Sequence, residues 1–470
     1  MKALLPNGVR GNIPFCWCFL MAIALVMQMA TANGQVRPFA ESVGLNVKFE
    51  QGEPPKDLAM LPELGVRWVR DSVNWYDMEP EAGRYVPFPE AFQRRLAFYK
   101  LHRIGVVFGV WYDNTRAYPN TPTDPYHSAD AEAYGRYAAY AAGLLRGAGV
   151  TFVMELYNEP HNSLKWLGGN WNGKPPSPWL DHYLKMVAAA GEKIKRVDPT
   201  IPVLVNDDMW IIHYWYLNAG MPPSVDGLAV HPYVKSWPEI SACEQDTDWC
   251  SPFVVVDADG SFRSAVTHLR NQAKAKLGRT PAIWATEWGW PVGEEIAGRK
   301  TTELMVADML PRAFIASYDA GVETLCWFSA QDSVDGPMGL TSNSGARRPA
   351  FWAFKTMVKE LGACTSEEHI VGADHPTSGL QVYRFSDPRG NVKLVAWDVD
   401  GSMTGLLTEP EGASASAVNT TGQPAALEGG DRGGRRISLD RGVVYVSGVS
   451  ARATIRPEGL RSTPPAYLFP

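Results

Sequence analysis

Val150-Thr151-Phe152-Val153-Met154-Glu155-Leu156-Tyr157-Asn158-Glu159-Pro160 is a short, largely apolar run that ends in polar residues and a proline. Pro281-Ala282-Ile283-Trp284-Ala285-Thr286-Glu287-Trp288-Gly289-Trp290-Pro291 repeats the pattern. Runs of this length, apolar or β-branched and closed by polar residues with Pro or Gly, read as buried strands of a parallel sheet. Each places a glutamate, Glu159 or Glu287, just beyond the strand. Two strand-end glutamates can face one another across a cleft, and such a pair is the minimum equipment for hydrolysing a glycosidic bond.

Outward from these runs the chain alternates short apolar segments with longer amphipathic ones. Strands are expected at 42–47, 66–71, 106–111, 152–156, 203–206, 227–231, 283–286 and 324–328. Helices are expected between them, among others at 131–146, 178–196 and 302–320. Eight βα units predict an α/β fold, a (β/α)8 TIM barrel over residues 38–362. Glu159 and Glu287 then follow the fourth and seventh strands, on the C-terminal face where barrel enzymes build their sites. Beyond Cys364 the texture changes to short alternating segments at 380–385, 392–397, 437–439 and 443–446. These predict a small C-terminal antiparallel β-sandwich domain over 365–470, with a mobile loop at 412–434 and an extended tail.

The chain has 470 residues, 45% hydrophobic and 20% charged, which favours a large core over disorder. A net charge of −6 without basic clusters argues against a nucleic-acid partner or an acidic membrane surface. Lys2 and Arg10 precede an apolar stretch over 13–30 and a small-residue motif, Ala30-Thr31-Ala32. Residues 1–32 therefore read as a signal peptide, with Pro14, Gln28 and the Ala-x-Ala motif favouring cleavage over a retained anchor. The expected location is secreted or periplasmic, with no membrane partner after cleavage. Of six cysteines, Cys16 and Cys18 leave with the leader. Cys243 and Cys250 share a polar loop and are expected as a disulfide, while Cys326 reads as a buried hydrophobe. The nine histidines include no His-x-His or His-Glu-x-x-His motif, so no metal site and no cofactor is expected.

Asn158-Glu159-Pro160, His231-Pro232-Tyr233 and Thr286-Glu287-Trp288-Gly289, taken in this order and strand placement, resemble the retaining glycoside hydrolases of clan A. The likeness spans residues from about 40 to 360 and is nearest to families 39 and 5. Gly65-Val66-Arg67-Trp68-Val69-Arg70, with Trp75 and the segment from Glu79 to Tyr85, is similar to the second-strand region of the family 39 group. His161 and the insertion over 236–265 depart from the family pattern. The resemblance implies Glu159 as general acid/base, Glu287 as nucleophile and Trp327 as the floor of the subsite holding the cleaved sugar.

The residues themselves add to this. Arg70, at a strand end, can supply positive charge to Glu287, or form an ion pair with Asp71 or another acid. Tyr233 can donate to Glu287, Asn158 can bond the sugar 2-hydroxyl, and His231 is expected in the pocket wall. Trp111, Trp288 and Trp327 are candidate sugar platforms, as are Trp166, Trp171, Trp179 and Trp290. Asn206, Asp207 and Asp208 end the fifth strand, to bind hydroxyls or cap the next helix. The expectation is an exported, monomeric retaining β-glycosidase acting on an oligo- or polysaccharide by double displacement. The alternative is a carbohydrate-binding protein on a catalytically decayed scaffold.

Overall fold

Eight parallel strands close into a barrel in the computed structural model, which describes residues 37–48, 58–121, 129–164, 177–241, 254–409, 414–429 and 434–458. The strands are β1 (Val43–Asn46), β2 (Trp68–Ser72), β3 (Gly105–Val110), β4 (Phe152–Leu156), β5 (Val203–Asp207), β6 (Gly227–Val230), β7 (Ala282–Trp288) and β8 (Leu325–Trp327). β1 pairs in parallel with both β2 and β8, which completes the ring. The eight expected barrel strands and the three expected helices all form, with ends shifted by two residues or fewer.

Strand periodicity builds the interior in tiers. Val107, Val153, Leu204, Ala229, Trp284 and Cys326 cluster as an apolar plug inside the barrel. Two residues further along the same chain segments stand Gly109, Glu155, Asn206, His231, Thr286 and Phe328. The step of two keeps these side chains on the inner face, so a polar tier lies above the apolar one at the C-terminal mouth. Gly109 is required by that geometry, because a Cβ there would sit 1.9 Å from the Trp111 ring.

The surrounding helices carry the signals that made them legible. Ala131–Ala148 is capped by Asp130, which accepts from the Ala133 amide, and closed by Gly149 in the left-handed region. It packs on Pro178–Val197 through Gly135, where a Cβ would meet the Ala189 backbone at 2.8 Å.

The C-terminal region forms a six-stranded and a four-stranded antiparallel sheet. Alternation on two strands divides the labour: Tyr383, Phe385, Val395 and Trp397 join the main core with the barrel. Val382, Leu394 and Ala396 face the other way, into a second core with Leu407, Ile437 and Ile455 of the smaller sheet. The described residues from Pro38 onward form one compact unit. A buried ion pair of the barrel anchors the sheets, the Arg312 guanidinium donating twice to Glu239 at 2.7 Å while the Trp397 indole, from the sheets, donates to the same carboxylate at 3.0 Å.

Some expectations are corrected. The segment 412–434 is no simple loop, since Ser416–Val418, Pro424–Ala425 and Glu428–Gly429 are short sheet strands. Ser366–Val371, Met403–Thr408 and Thr454–Pro457 are strands that the pattern of apolar residues did not reveal. They lie at or near sheet edges with polar residues on the open face, so their apolar alternation is weak. The leader over 1–32, the Cys243–Cys250 disulfide, the extended tail, Trp166 and Trp171 lie outside the described residues. Cys326 and Cys364 are buried and free. Among the described residues no helix is long and apolar enough to cross a membrane.

Candidate active site

Glu155 and Asn206 bring the end of β4 together with that of β5, and Arg70 ties both to β2. The Arg70 guanidinium donates to Glu155 Oε2 at 2.6 Å and to Asn158 Oδ1 at 2.6 Å, and its remaining arm reaches Glu287. Burial works against its charge, but Glu155 and Glu287 more than compensate and raise its pKa further. The Trp111 ring covers the guanidinium at 4.5 Å. Asn206 donates to the second oxygen of Glu155 at 3.0 Å and accepts from the Glu159 backbone amide at 2.7 Å.

These anchors hold an unusual turn. Tyr157 and Glu159 both have positive φ, 68° and 44°, a conformation that non-glycine residues adopt only when the surroundings impose it. Glu287 reaches the same space by a different device. Between Leu325 and Trp327 of β8 the register with β7 shifts, Ala285 pairing with the first and Trp288 with the second. That bulge breaks the alternation after Thr286 and turns Glu287 inward.

The two carboxyls meet at His231. Its Nδ1 lies 2.8 Å from Glu159 Oε1 and 3.7 Å from Glu287 Oε2, and the three groups' atoms all fall within 4.8 Å of one another. Tyr233 donates to Glu287 Oε2 at 3.0 Å, and Asn162 to Glu159 Oε2 at 3.0 Å. Burial opposes the charge on Glu159, yet the His231 hydrogen bond and charge hold the carboxyl below its ordinary range. Burial likewise opposes protonation of His231, and the carboxylates of Glu287 and Glu159 raise its pKa nonetheless. Nε2 faces the Asn206 amide at 2.9 Å and the Thr286 hydroxyl at 3.1 Å. The amide donates to a neutral ring and the hydroxyl accepts from a charged one, so either form is served.

A cavity of about 370 Å³ opens above the pair. Of the predicted residues, Arg70, Trp111, Asn158, Tyr233 and both glutamates line it. Asn46, Lys48, Tyr112, Phe328, Asp335 and Met338 also line it and were not anticipated. A larger cavity, about 760 Å³, lies between the helix Glu303–Asp319 and the C-terminal sheets. The smaller one is the candidate site because it alone of the two holds the facing carboxyls.

Several expectations fail here. Trp327 is 0% exposed and packs against Trp290, outside the cavity, with Phe328 in the place expected of it. The alternation explains this: Cys326 points into the barrel, so Trp327 points out and Phe328 in. Trp288, beyond the bulge, is buried against Phe262 and Trp290, and Trp179 and Trp290 are buried as well. His231 is not a pocket wall but a fully buried residue behind Glu159. Asp71 is paired with Arg95 at 2.8 Å rather than with Arg70. Asn206 and Asp207 are buried supports, not hydroxyl-binding residues.

Among the described residues two sets of side chains have metal-ligand proximity, Glu159 with His231 and Glu287, and His161 with Asp207 and Asp208. In the first, the carboxylates already accept from Arg70, Tyr233, Asn162 and His231. In the second, His161 Nδ1 lies 2.5 Å from Asp207 and 3.1 Å from Asp208. Burial and the neighbouring Asp207 charge push the Asp208 carboxyl well above its ordinary range.

No protein-family model matches the sequence, and no curated protein sequence does. The fold is similar to that of a family 39 glycoside hydrolase from Bacteroides cellulosilyticus WH2, with a TM-score of 0.71 at 19% identity over 88% of this chain and 81% of that one. A GH30 endoxylanase from Clostridium papyrosolvens C71 gives 0.57 at 13% identity over 87% and 96% of the two chains. A GH39 enzyme from Xanthomonas axonopodis pv. citri gives 0.55 at 12% over 89% and 96%. At these identities the likeness establishes the fold, a TIM barrel followed by β-sheets.

Proposed function

We propose that this chain is a retaining β-glycosidase in which Glu287 is the nucleophile and Glu159 the general acid/base. The observation that carries the reading is the spacing of the two carboxyls across a solvent-reachable cavity, an oxygen of each lying within 4.8 Å of the other. Retention needs carboxyls about 5–5.5 Å apart, whereas inversion needs about 6.5–9.5 Å to admit a water. The likeness to glycoside hydrolases of the same architecture supports the substrate class.

In the first step Glu287 attacks the anomeric carbon while Glu159 protonates the departing oxygen; in the second, Glu159 takes a proton from water and the glycosyl ester is hydrolysed. Arg70 and Tyr233 orient the attacking carboxylate, each bonding one of its oxygens. Asn158, fixed by Arg70, faces the cavity where a 2-hydroxyl would lie. The proton is a property of the Glu159–His231 pair: the imidazole holds it at Nδ1, 2.8 Å from the oxygen that passes it on. This gives His231 a proton-holding role that the sequence reading did not assign. The leader over 1–32 adds that the enzyme is exported.

The test is hydrolysis of a panel of β-linked di- and oligosaccharides by the purified chain and by Glu159→Gln and Glu287→Ala. Turnover that both substitutions abolish, with first-formed product of unchanged anomeric configuration, supports the proposal. Binding of β-glycans without turnover by the unsubstituted chain would point to a decayed scaffold instead.

A further inference from the structure

One wall of the cavity is an ion pair that the double-displacement chemistry does not use. Lys48 follows β1 and Asp335 lies in the loop after β8, and the lysine ammonium bonds the aspartate Oδ2 across that seam. Lys48 is buried, 7% exposed, with its nitrogen 4.5 Å from the Phe328 ring centroid. The Asp335 side chain is 45% exposed, and the Ser333 hydroxyl donates to it at 3.0 Å. Although partial burial opposes its charge, Lys48 holds the Asp335 carboxyl below its ordinary range. Both residues line the cavity.

Barrel topology fixes which end of a bound sugar this wall meets. The strand order is β1-β8-β7-β6-β5-β4-β3-β2, so β8 stands diametrically across the ring from β4. On the reading above, Glu159 at the end of β4 protonates the leaving oxygen, which puts the leaving group on the β4 side. The anomeric carbon sits between Glu159 and Glu287. The opposite edge of a pyranose ring carries the 3- and 4-hydroxyls, and it therefore faces β8 and β1. An ammonium is donor-only and a carboxylate acceptor-only, so the two side by side match a vicinal diol, one hydroxyl donating to Asp335 and its neighbour accepting from Lys48.

Resting on that reading, we propose that Lys48 and Asp335 together recognise the 3,4-diol of a neutral terminal pyranose, making this a glycosidase that removes single sugars from a non-reducing end. In a 1,3- or 1,4-linked chain both hydroxyls are free only on the terminal residue. A uronic acid fits less well, since the Asp335 charge opposes a second carboxylate beside Lys48.

The experiment compares Lys48→Met, Asp335→Asn and the unsubstituted chain on the 4-nitrophenyl β-glycoside hydrolysed best among neutral pyranosides and the glucuronide, and on its 3-deoxy and 4-deoxy forms. Hydrogen bonds to charged groups predict a loss in kcat/KM of about 10- to 100-fold for each variant on the intact sugar. On the deoxy sugar lacking the partner hydroxyl, the variant should lose little more than the unsubstituted chain does. Matching thermal melts of the variants and the unsubstituted chain separate recognition from folding. Equal fold-losses on intact and deoxy sugars, unchanged kinetics, or preference for the glucuronide would overturn the proposal. Absence of hydrolysis of every glycoside by the unsubstituted chain is a separate failure, of the glycosidase reading beneath it.

Discussion

His231 Nδ1 stands 2.8 Å from Glu159 Oε1, with its ring fully buried and its other nitrogen held between Asn206 and Thr286. The two groups shift one another in opposite directions, Glu159 down from 4.5 and His231 up from 6.5. A lowered acid stabilises the fold above its unfolded pKa and loses that contribution as pH falls through the folded value. A raised histidine contributes fully below its unfolded pKa and loses it as pH rises through the folded value. The pair therefore stabilises most between pH 4.5 and 6.5. The melting difference between the unsubstituted chain and His231→Gln should peak in that window and shrink on both sides, and turnover should fall on the alkaline side as His231 loses its proton. A difference that is flat with pH would contradict the pairing.

Glu159 acts on the leaving group, so its removal should depend on what leaves. Glu159→Ala should lower kcat/KM on sugar-linked substrates by about 10²–10⁴-fold and much less on a dinitrophenyl glycoside, which departs without protonation. Azide should restore turnover and appear in a β-glycosyl azide product. An equal loss on both substrates, without rescue, would remove Glu159 from this role.

Arg70 is the common donor of Glu155, Asn158 and Glu287. Arg70→Met leaves the fully buried Glu155 without its cation, and an uncompensated buried charge costs about 3–5 kcal/mol. Denaturant unfolding measures it. Arg70→Lys should recover part of the stability but little activity, because a point charge cannot bond three groups in a fork. Stability within 1 kcal/mol of the parent, by the usual scale for surface pairs, would contradict the assigned network.

Much of the fold was legible because strand and helix periods agree with burial throughout the barrel. Val153 and Glu155, or Leu204 and Asn206, show the apolar tier and the polar tier two residues above it. The site was legible less evenly. Trp327 was misread because a family resemblance outweighed the local alternation that Cys326 sets, and that alternation favours Phe328. Glu287 faces inward only because of a bulge, which depends on the partner strand and leaves no mark in its own sequence. Lys48 and Asp335 are 287 residues apart, and nothing local to either forecasts the other.

The buried ion pair beneath the barrel–sheet contact has its own test. Glu239 accepts from Arg312 and Trp397 and is buried. Glu239→Ala should destabilise by about 3–5 kcal/mol, whereas pairing it with Arg312→Met should cost less, since no buried charge is then left alone. Unfolding of the double variant that equals the sum of the singles would contradict the coupling.

The central claim is that Glu287 bonds covalently to the sugar. Incubation with the 2-deoxy-2-fluoro glycosyl fluoride of the sugar hydrolysed best, followed by intact mass and peptide mapping, measures this directly. The account predicts one fluoroglycosyl adduct, on Glu287, in step with loss of activity. Inactivation with the label on another residue, or unlabelled protein releasing product of inverted configuration, would contradict it.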